Sequence, residues 1–382
     1  MNESGSRQPG APVEVPAPRL AREAGARPAS GRLVFLDALR GFALVFMVLN
    51  HTGRWWQDRS MGWPWYYSIY VTMAVAAPTF LFLVGFCLPL SLGKVRGRVT
   101  EQVLPTLWKY AKHGGRIILA GLLLNVLVFP EDPFWSNGVL QTIGLGIIVA
   151  APVGLFLRSR VARYVVVAAA VLVYLSFGWC FGPLGDWVAA HPMSSRVLFL
   201  EFPPWPWVAL VLFGLVLGQL WVEQPDSRRR ARYMLAMAAA GLLCIAWLFA
   251  YDAWAHTEYR FMFKRDFILN KHWTPRGATA VWVIGMTFVL MAVFYYVGEV
   301  RGLRLTWLGT LGRTALFLYF VHQLIVLTLV NQYLHLRFNN WWRYAVANLL
   351  LLFLLLGLGR LWIEVKRFSR AKLASFGVVR RA

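Results

Sequence analysis

Ten apolar stretches divide this chain, at approximately 33–50, 70–92, 114–130, 138–157, 162–181, 205–222, 233–251, 278–298, 312–334 and 342–363. Each is close to the roughly 20 residues that a helix needs to cross a hydrocarbon layer about 30 Å thick. Inside hydrocarbon, every backbone N–H and C=O must find its partner within the protein, which leaves only helices or closed barrels. The period-two alternation of barrel strands is missing here. The pattern therefore predicts an all-α polytopic integral membrane protein with about ten transmembrane helices. Composition agrees: 58% of residues are hydrophobic and 15% charged, and the mean hydropathy is +0.54. That balance excludes a soluble enzyme.

A net charge of +22 would suggest nucleic acid in a soluble protein. No basic face interleaved with aromatics stands on a soluble domain, so nucleic acid is not an expected partner, and membrane lipid is. With the N-terminus placed in the cytoplasm, the segments inside hold 28 Lys and Arg and the loops outside hold 10. Retention of basic residues on the cytoplasmic side then predicts that both termini are cytoplasmic. The outside loops are aromatic, as in "RWWQDRSMGWPWYY" (54–67) and "FPPWPW" (202–207), and most of the 19 tryptophans suit an interfacial belt. Residues 1–32 read as a disordered cytoplasmic tail without the apolar core of a signal peptide, 33–363 as the membrane domain, and 364–382 as a basic cytoplasmic tail. Cys87, Cys180 and Cys244 sit in apolar runs and read as small packing residues; they show no metal-ligand spacing.

The first stretch, "RLVFLDALRGFALVFMVLNHTGRWW" (32–56), breaks its own pattern. It carries Asp37 and Arg40 early and Asn50-His51 late, and ionisable groups in hydrocarbon usually face a partner, a cavity or a substrate. On a helix, Arg40 and His51 differ by about 20° in azimuth and are about 16 Å apart along the axis, and Asp37 lies within about 60° of Arg40. One stripe thus presents an acid and a cation at one depth and an imidazole at another. Gly41 permits close approach of another backbone or of a ligand. A blander reading stands beside this one: Asp37 and Arg40 neutralise each other at i, i+3, and His51 complements the helix dipole.

Further candidates are weaker. His322 in "YFVHQ" falls mid-span with Tyr319 and Gln323, either lining a cavity or forming an interhelical hydrogen-bond cluster. Gln141 and Asn125 are lone amides in apolar helices and read first as packing contacts. Lys271, His272 and Trp273 open a span, where they would contact an acceptor or anchor the interface. The run "RRRAR" (228–232) reads as a topology determinant.

The segment "RLVFLDALRGFALVFMVLNH" resembles the opening signature of the transmembrane acyltransferase superfamily, with Arg40 and His51 spaced as in the Arg-ten residues-His motif of the membrane acyltransferase-3 family. Later segments resemble the heparan-α-glucosaminide N-acetyltransferase catalytic-domain family more closely. These are "APTFLFLVGFCLPLSL" (77–92), "NGVLQTIGLGIIV" (137–149), "LNKHW" (269–273) and "LGRTALFLYFVHQLIV" (311–326). The resemblance covers nearly all of residues 32–334. It implies acyl transfer across a membrane, from cytoplasmic acyl-CoA (acetyl-CoA as co-substrate) to an amine or hydroxyl of a sugar-containing acceptor on the far side. Carried over, Arg40, with Asp37 and Gly41 beside it, would help hold CoA. His51 and Asn50 would act at the transfer centre, and Gln141, Lys271, Trp273, Tyr319 and His322 would line the acceptor or donor cavity. One departure stands out: the family often has an acidic residue shortly before Pro78-Thr79-Phe80, where this chain reads "TMAVAAP". That leaves a hydroxyl acceptor open beside an amine.

Acyl transfer from a thioester needs a base or a nucleophile, and donors for the developing oxyanion. Imidazole suits either of the first two roles, and the amide of Asn50 suits the third. Direct transfer with His51 as general base is the favoured route, and an acyl-histidine intermediate the alternative. The sequence carries no phosphate-binding loop, zinc spacing or Ser-His-Asp order, so no metal is expected. A transporter or flippase is the rival function, since intramembrane charges also mark substrate pathways. No second copy of the 37–51 pattern supports it. A non-enzymatic scaffold fits the buried polar stripe poorly. A bacterial inner membrane is the expected location, and homo-oligomerisation is left open.

Overall fold

The computed structural model describes residues 33–62, 76–92, 103–157, 159–199, 203–255 and 277–375. Twelve α-helices follow one another among these residues. They are α1 (Val34–Trp55), α2 (Ala76–Leu92), α3 (Val103–Val128), α4 (Val139–Phe156), α5 (Arg160–Ala190) and α6 (Pro192–Phe199). After them come α7 (Pro204–Val222), α8 (Ser227–Ala255), α9 (Gly277–Tyr295), α10 (Thr306–Arg313), α11 (Ala315–Gln323) and α12 (Trp341–Ser375). Nine helical segments of the described residues are long and apolar enough to cross a membrane, and α2 is a tenth, shorter apolar helix. The chain is an all-α polytopic membrane protein.

Local chemistry sets several boundaries. Ser159 caps α5, its hydroxyl accepting from the Ala162 N–H at 3.0 Å. Asp226 caps α8, accepting from the Arg229 N–H at 2.6 Å. Such caps satisfy backbone donors that a helix start leaves open. The expected span at 312–334 is present as Ala315–Tyr333, with a break near its start. Thr314 interrupts it, its hydroxyl turning back to the Thr310 carbonyl at 2.8 Å. Beyond Gln323 the chain winds as a π-helical segment, Leu324–Tyr333. Helix α12 runs on through Ser375, so the first dozen residues of the expected basic tail are helical.

Burial separates an inner helix from outer ones. In α1, 61% of the apolar window is buried, against 22% in Ser227–Ala250 and in Trp341–Ser369. The outer helices turn large apolar residues outward, among them Leu235, Leu243, Leu350 and Phe353, as lipid contact requires. Helix α1 packs against α2, α9 and, most closely, α10. At that crossing a methyl group on Gly41 would overlap the Leu308 carbonyl, and one on Gly312 the Asp37 carbonyl. Small residues are what let two backbones meet this closely in a membrane. The close approach expected at Gly41 is thus to a backbone.

Both ends of α1 are fixed. At its start, Phe35 meets Tyr295 edge-on with centroids 5.3 Å apart and Trp221 at 6.0 Å. At its end, the Trp56 indole N–H donates to the Val326 carbonyl at 3.0 Å. The chain just beyond pairs with Phe338, which donates to the Trp56 carbonyl at 2.7 Å.

Candidate active site

His51 lies one turn before the end of α1, where the helix faces α11. Its Nδ1 is 2.9 Å from Nε2 of His322. His322 is fully buried, at 0% exposure, and its Nδ1 is 2.9 Å from the Leu318 carbonyl one turn back on α11. The Tyr319 ring stands edge-on to His322 with centroids 5.4 Å apart. Next in sequence, the Gln323 amide nitrogen sits 3.1 Å from Nδ1 and 3.4 Å from Nε2 of His51.

Beside this pair opens a cavity of about 170 Å³ whose lining includes Asn50, His51, Asn125, Ser136, Gln141 and Gln323. The loop between α3 and α4 forms one wall. Asn125 holds it by donating to the Phe134 carbonyl at 2.9 Å and to the Ser136 carbonyl at 2.6 Å. Gln141 donates to the same Ser136 carbonyl at 3.2 Å, and Asn137 to the Thr142 hydroxyl at 3.2 Å. Charge enters the lining at Arg54 and Asp132, and aromatic surface at Trp55, Phe129 and Tyr319. Concave sites with apolar walls and a few convergent polar groups are the usual form of small-molecule sites.

Among the described residues, three polar atoms of this lining have no hydrogen-bond partner: Asn50 Nδ2, Ser136 Oγ and Gln323 Oε1. Their residues are 7%, 3% and 4% exposed. A buried donor or acceptor left unpaired costs about 1–3 kcal/mol. Each such group calls for a partner from outside the chain (a water, an ion or a ligand) or for a catalytic role. Here a donor, a hydroxyl and an acceptor of this kind share one cavity with an imidazole.

Arg40 belongs to a separate cluster. It donates from Nη1 to Asp37 Oδ1 at 3.2 Å and from Nη2 to Cys87 Sγ at 2.9 Å. It is not among the residues lining the cavity. Its distance from His51 follows from the helix rise, about 16 Å along the axis. The pairing with Asp37 expected from i, i+3 spacing is present, while the thiol contact revises the reading of Cys87 as a packing residue.

Of the residues expected from the sequence, Asn50, His51, Gln141 and Tyr319 line the cavity, and His322 backs His51. Lys271, His272 and Trp273 lie outside the described residues. Gln141 and Asn125, read first as packing contacts, both reach the cavity while bracing its loop. Ser136, Asn137, Arg54 and Asp132 also line the cavity and were not singled out from the sequence. Asn137 opens the quoted segment "NGVLQTIGLGIIV" and Arg54 lies in the quoted first stretch, while Ser136 and Asp132 fall just before the former.

The profile of the family described as heparan-α-glucosaminide N-acetyltransferase, catalytic, matches residues 32–250, which is more than half of the chain. None of the curated proteins compared with it matches significantly. The matched segment contains α1 to α7 and most of α8, and with them Arg40, Asn50, His51 and Gln141. On that match the chain belongs to the heparan-α-glucosaminide N-acetyltransferase catalytic-domain family, a family of membrane N-acetyltransferases.

Proposed function

We propose that this protein moves an acyl group, acetyl in the first instance, from acyl-CoA to an amine or hydroxyl of a sugar-containing acceptor across the membrane. The donor comes from the cytoplasmic side, where both termini and the Arg40 end of α1 lie, and the acceptor meets the acyl group at His51. A bacterial inner membrane is the location this reading adopts. His51 is the general base, taking the proton of the attacking amine or hydroxyl. Asn50 Nδ2 is the oxyanion donor; a preorganised N–H aimed where charge develops gives large transition-state stabilisation in a dry site. Arg40 holds the CoA moiety through forked donors, with Asp37 fixing its orientation. Gln141 and Tyr319 border the acceptor; Lys271 and Trp273 are proposed to do the same.

One observation carries the reading: an unpartnered, buried amide N–H at Asn50 stands next to an imidazole in a cavity. The orphaned hydroxyl and amide oxygen nearby suit a ligand with both donors and acceptors, as a sugar has. The test is purified protein incubated with labelled acetyl-CoA and a panel of amino and neutral sugars. Label appearing on an acceptor only when protein is present supports the function. No transfer to any of them from folded, CoA-binding protein would count against it.

A further inference from the structure

We infer that His322 is a positioning residue that fixes the tautomer of His51, leaving Nε2 of His51 as the nitrogen that takes the acceptor's proton; this rests on the reading of His51 as general base. The argument begins with an atom that can only accept. The Leu318 carbonyl has two lone pairs and no proton. His322 Nδ1, 2.9 Å away, must therefore carry the hydrogen of that contact. In the uncharged ring, Nε2 of His322 is then an acceptor.

That acceptor lies 2.9 Å from His51 Nδ1. Two ring nitrogens this close need one proton between them, and only His51 can supply it. The ring planes differ by 9° and their centroids are 5.1 Å apart. Planes nearly parallel, with nitrogens 2.9 Å apart, have too little room between them for face-to-face stacking. The rings meet edge to edge, the arrangement that directs an N–H along a neighbour's in-plane lone pair. The chain of protons thus runs from His51 Nδ1–H to His322 Nε2, and from His322 Nδ1–H to Leu318 O. Neutral His51 is left with its lone pair on Nε2. The Gln323 amide nitrogen lies 3.1 Å from Nδ1, which as a donor offers it no lone pair, so its hydrogen bond goes to Nε2, the longer contact at 3.4 Å. A weak donor of that kind is readily displaced by an acceptor's O–H or N–H.

In the step itself, the proton of the acceptor's O–H or N–H moves to His51 Nε2, and the electron pair of that bond attacks the thioester carbonyl carbon. The tetrahedral intermediate collapses with cleavage of the C–S bond, and the CoA thiolate leaves, taking the proton from His51. While His51 is an imidazolium, its Nδ1–H becomes a charged donor to His322, and charge-assisted hydrogen bonds are about twice as strong as neutral ones. A neutral imidazole thus takes the part that a carboxylate plays in other base-orienting pairs. Without it, His51 is free to carry its proton on Nε2, where it has no lone pair to offer.

The experiment uses full-length protein labelled with 15N at histidine, because the shifts of ring nitrogens distinguish protonated from unprotonated atoms. Signals are assigned from their loss in His51→Asn and His322→Gln. The expected result is a neutral His51 protonated at Nδ1 in the unsubstituted protein. In His322→Leu it changes to a ring protonated at Nε2, transfer falls roughly 10²-fold, and CoA affinity stays unchanged. His322→Gln keeps an acceptor for Nδ1–H and restores most of the transfer, which a packing role for the ring would not do. A His51 protonated at Nε2 in the unsubstituted protein overturns the inference, as does an Nδ1-protonated ring that persists in folded His322→Leu. The tautomer reading needs no turnover, so it stands or falls separately from the proposed function.

Discussion

Thr52 Oγ1 donates to Asn348 Oδ1 at 2.7 Å, joining the residue after His51 to a helix almost 300 positions further along the chain. The Tyr344 hydroxyl completes the cluster, 3.0 Å from the same Thr52 oxygen. Together they hold the end of α1 against α12, so the site's imidazole sits on a braced turn. Thr52→Val keeps the shape and removes the hydroxyl. It leaves the Asn348 oxygen short of a donor, at a cost of about 1–2 kcal/mol. A lower unfolding midpoint with unchanged CoA affinity is the expected outcome, read by thermal denaturation in detergent. An unshifted midpoint would show the cluster to be dispensable.

His51→Ala should bind acyl-CoA nearly normally and lose transfer by roughly 10²–10⁴-fold, because a general base acts in the transition state and contributes little to ground-state binding. Donor affinity and single-turnover transfer, measured on the same folded preparation, separate the two. Near-normal transfer would falsify the base assignment even with the acyltransferase function intact. A stable acyl adduct trapped on His51 would favour the two-step route instead.

For Arg40, the fork to Asp37 and Cys87 decides what a substitution removes. Arg40→Ala should weaken CoA binding by about tenfold or more, and Arg40→Lys should recover only part of it, since an ammonium cannot reproduce two divergent N–H donors. Isothermal titration with CoA checks this. Equal affinity in the alanine variant would leave Arg40 as the structural partner of Asp37 alone.

Orientation can be read at Ser60, an exposed residue in the short turn after α1. In a background lacking the three native cysteines, Ser60→Cys should react with an impermeant maleimide added outside intact cells. Labelling seen only in inverted vesicles would reverse the topology, and with it the direction of transfer.

Ten spans could be read from the chain because the constraint behind them is local: a helix in lipid must be apolar over its own length. Arg40 with Asp37 was equally accessible, being fixed by three residues of helical spacing. The meeting of His51 with His322 was not, because 271 positions separate them. Nothing in either segment states which helices become neighbours. The break at Thr314 was hidden for another reason. "LGRTALFLYFVHQLIV" is mostly apolar on either side of Thr314, and hydropathy does not register a hydroxyl that bonds back to its own helix. Ser136 was missed because its importance comes from the amides of Asn125 and Gln141, which hold its carbonyl and with it the loop against the cavity.

The crossing of α1 and α10 on Gly41 and Gly312 bears on how a donor can be used. Backbones meeting with no side chain between them leave α1 no slack to slide. With its other end tied to Val326 and Phe338, the helix is a rigid ruler. Its two marks, Arg40 and His51, are held at one separation of about 16 Å. On the proposed reading, an acyl group anchored at the first mark reaches the second only on an arm of matching length. Substrate size would then be set by the helix itself: a donor with the whole CoA handle spans the marks, and a truncated thioester engages one or the other.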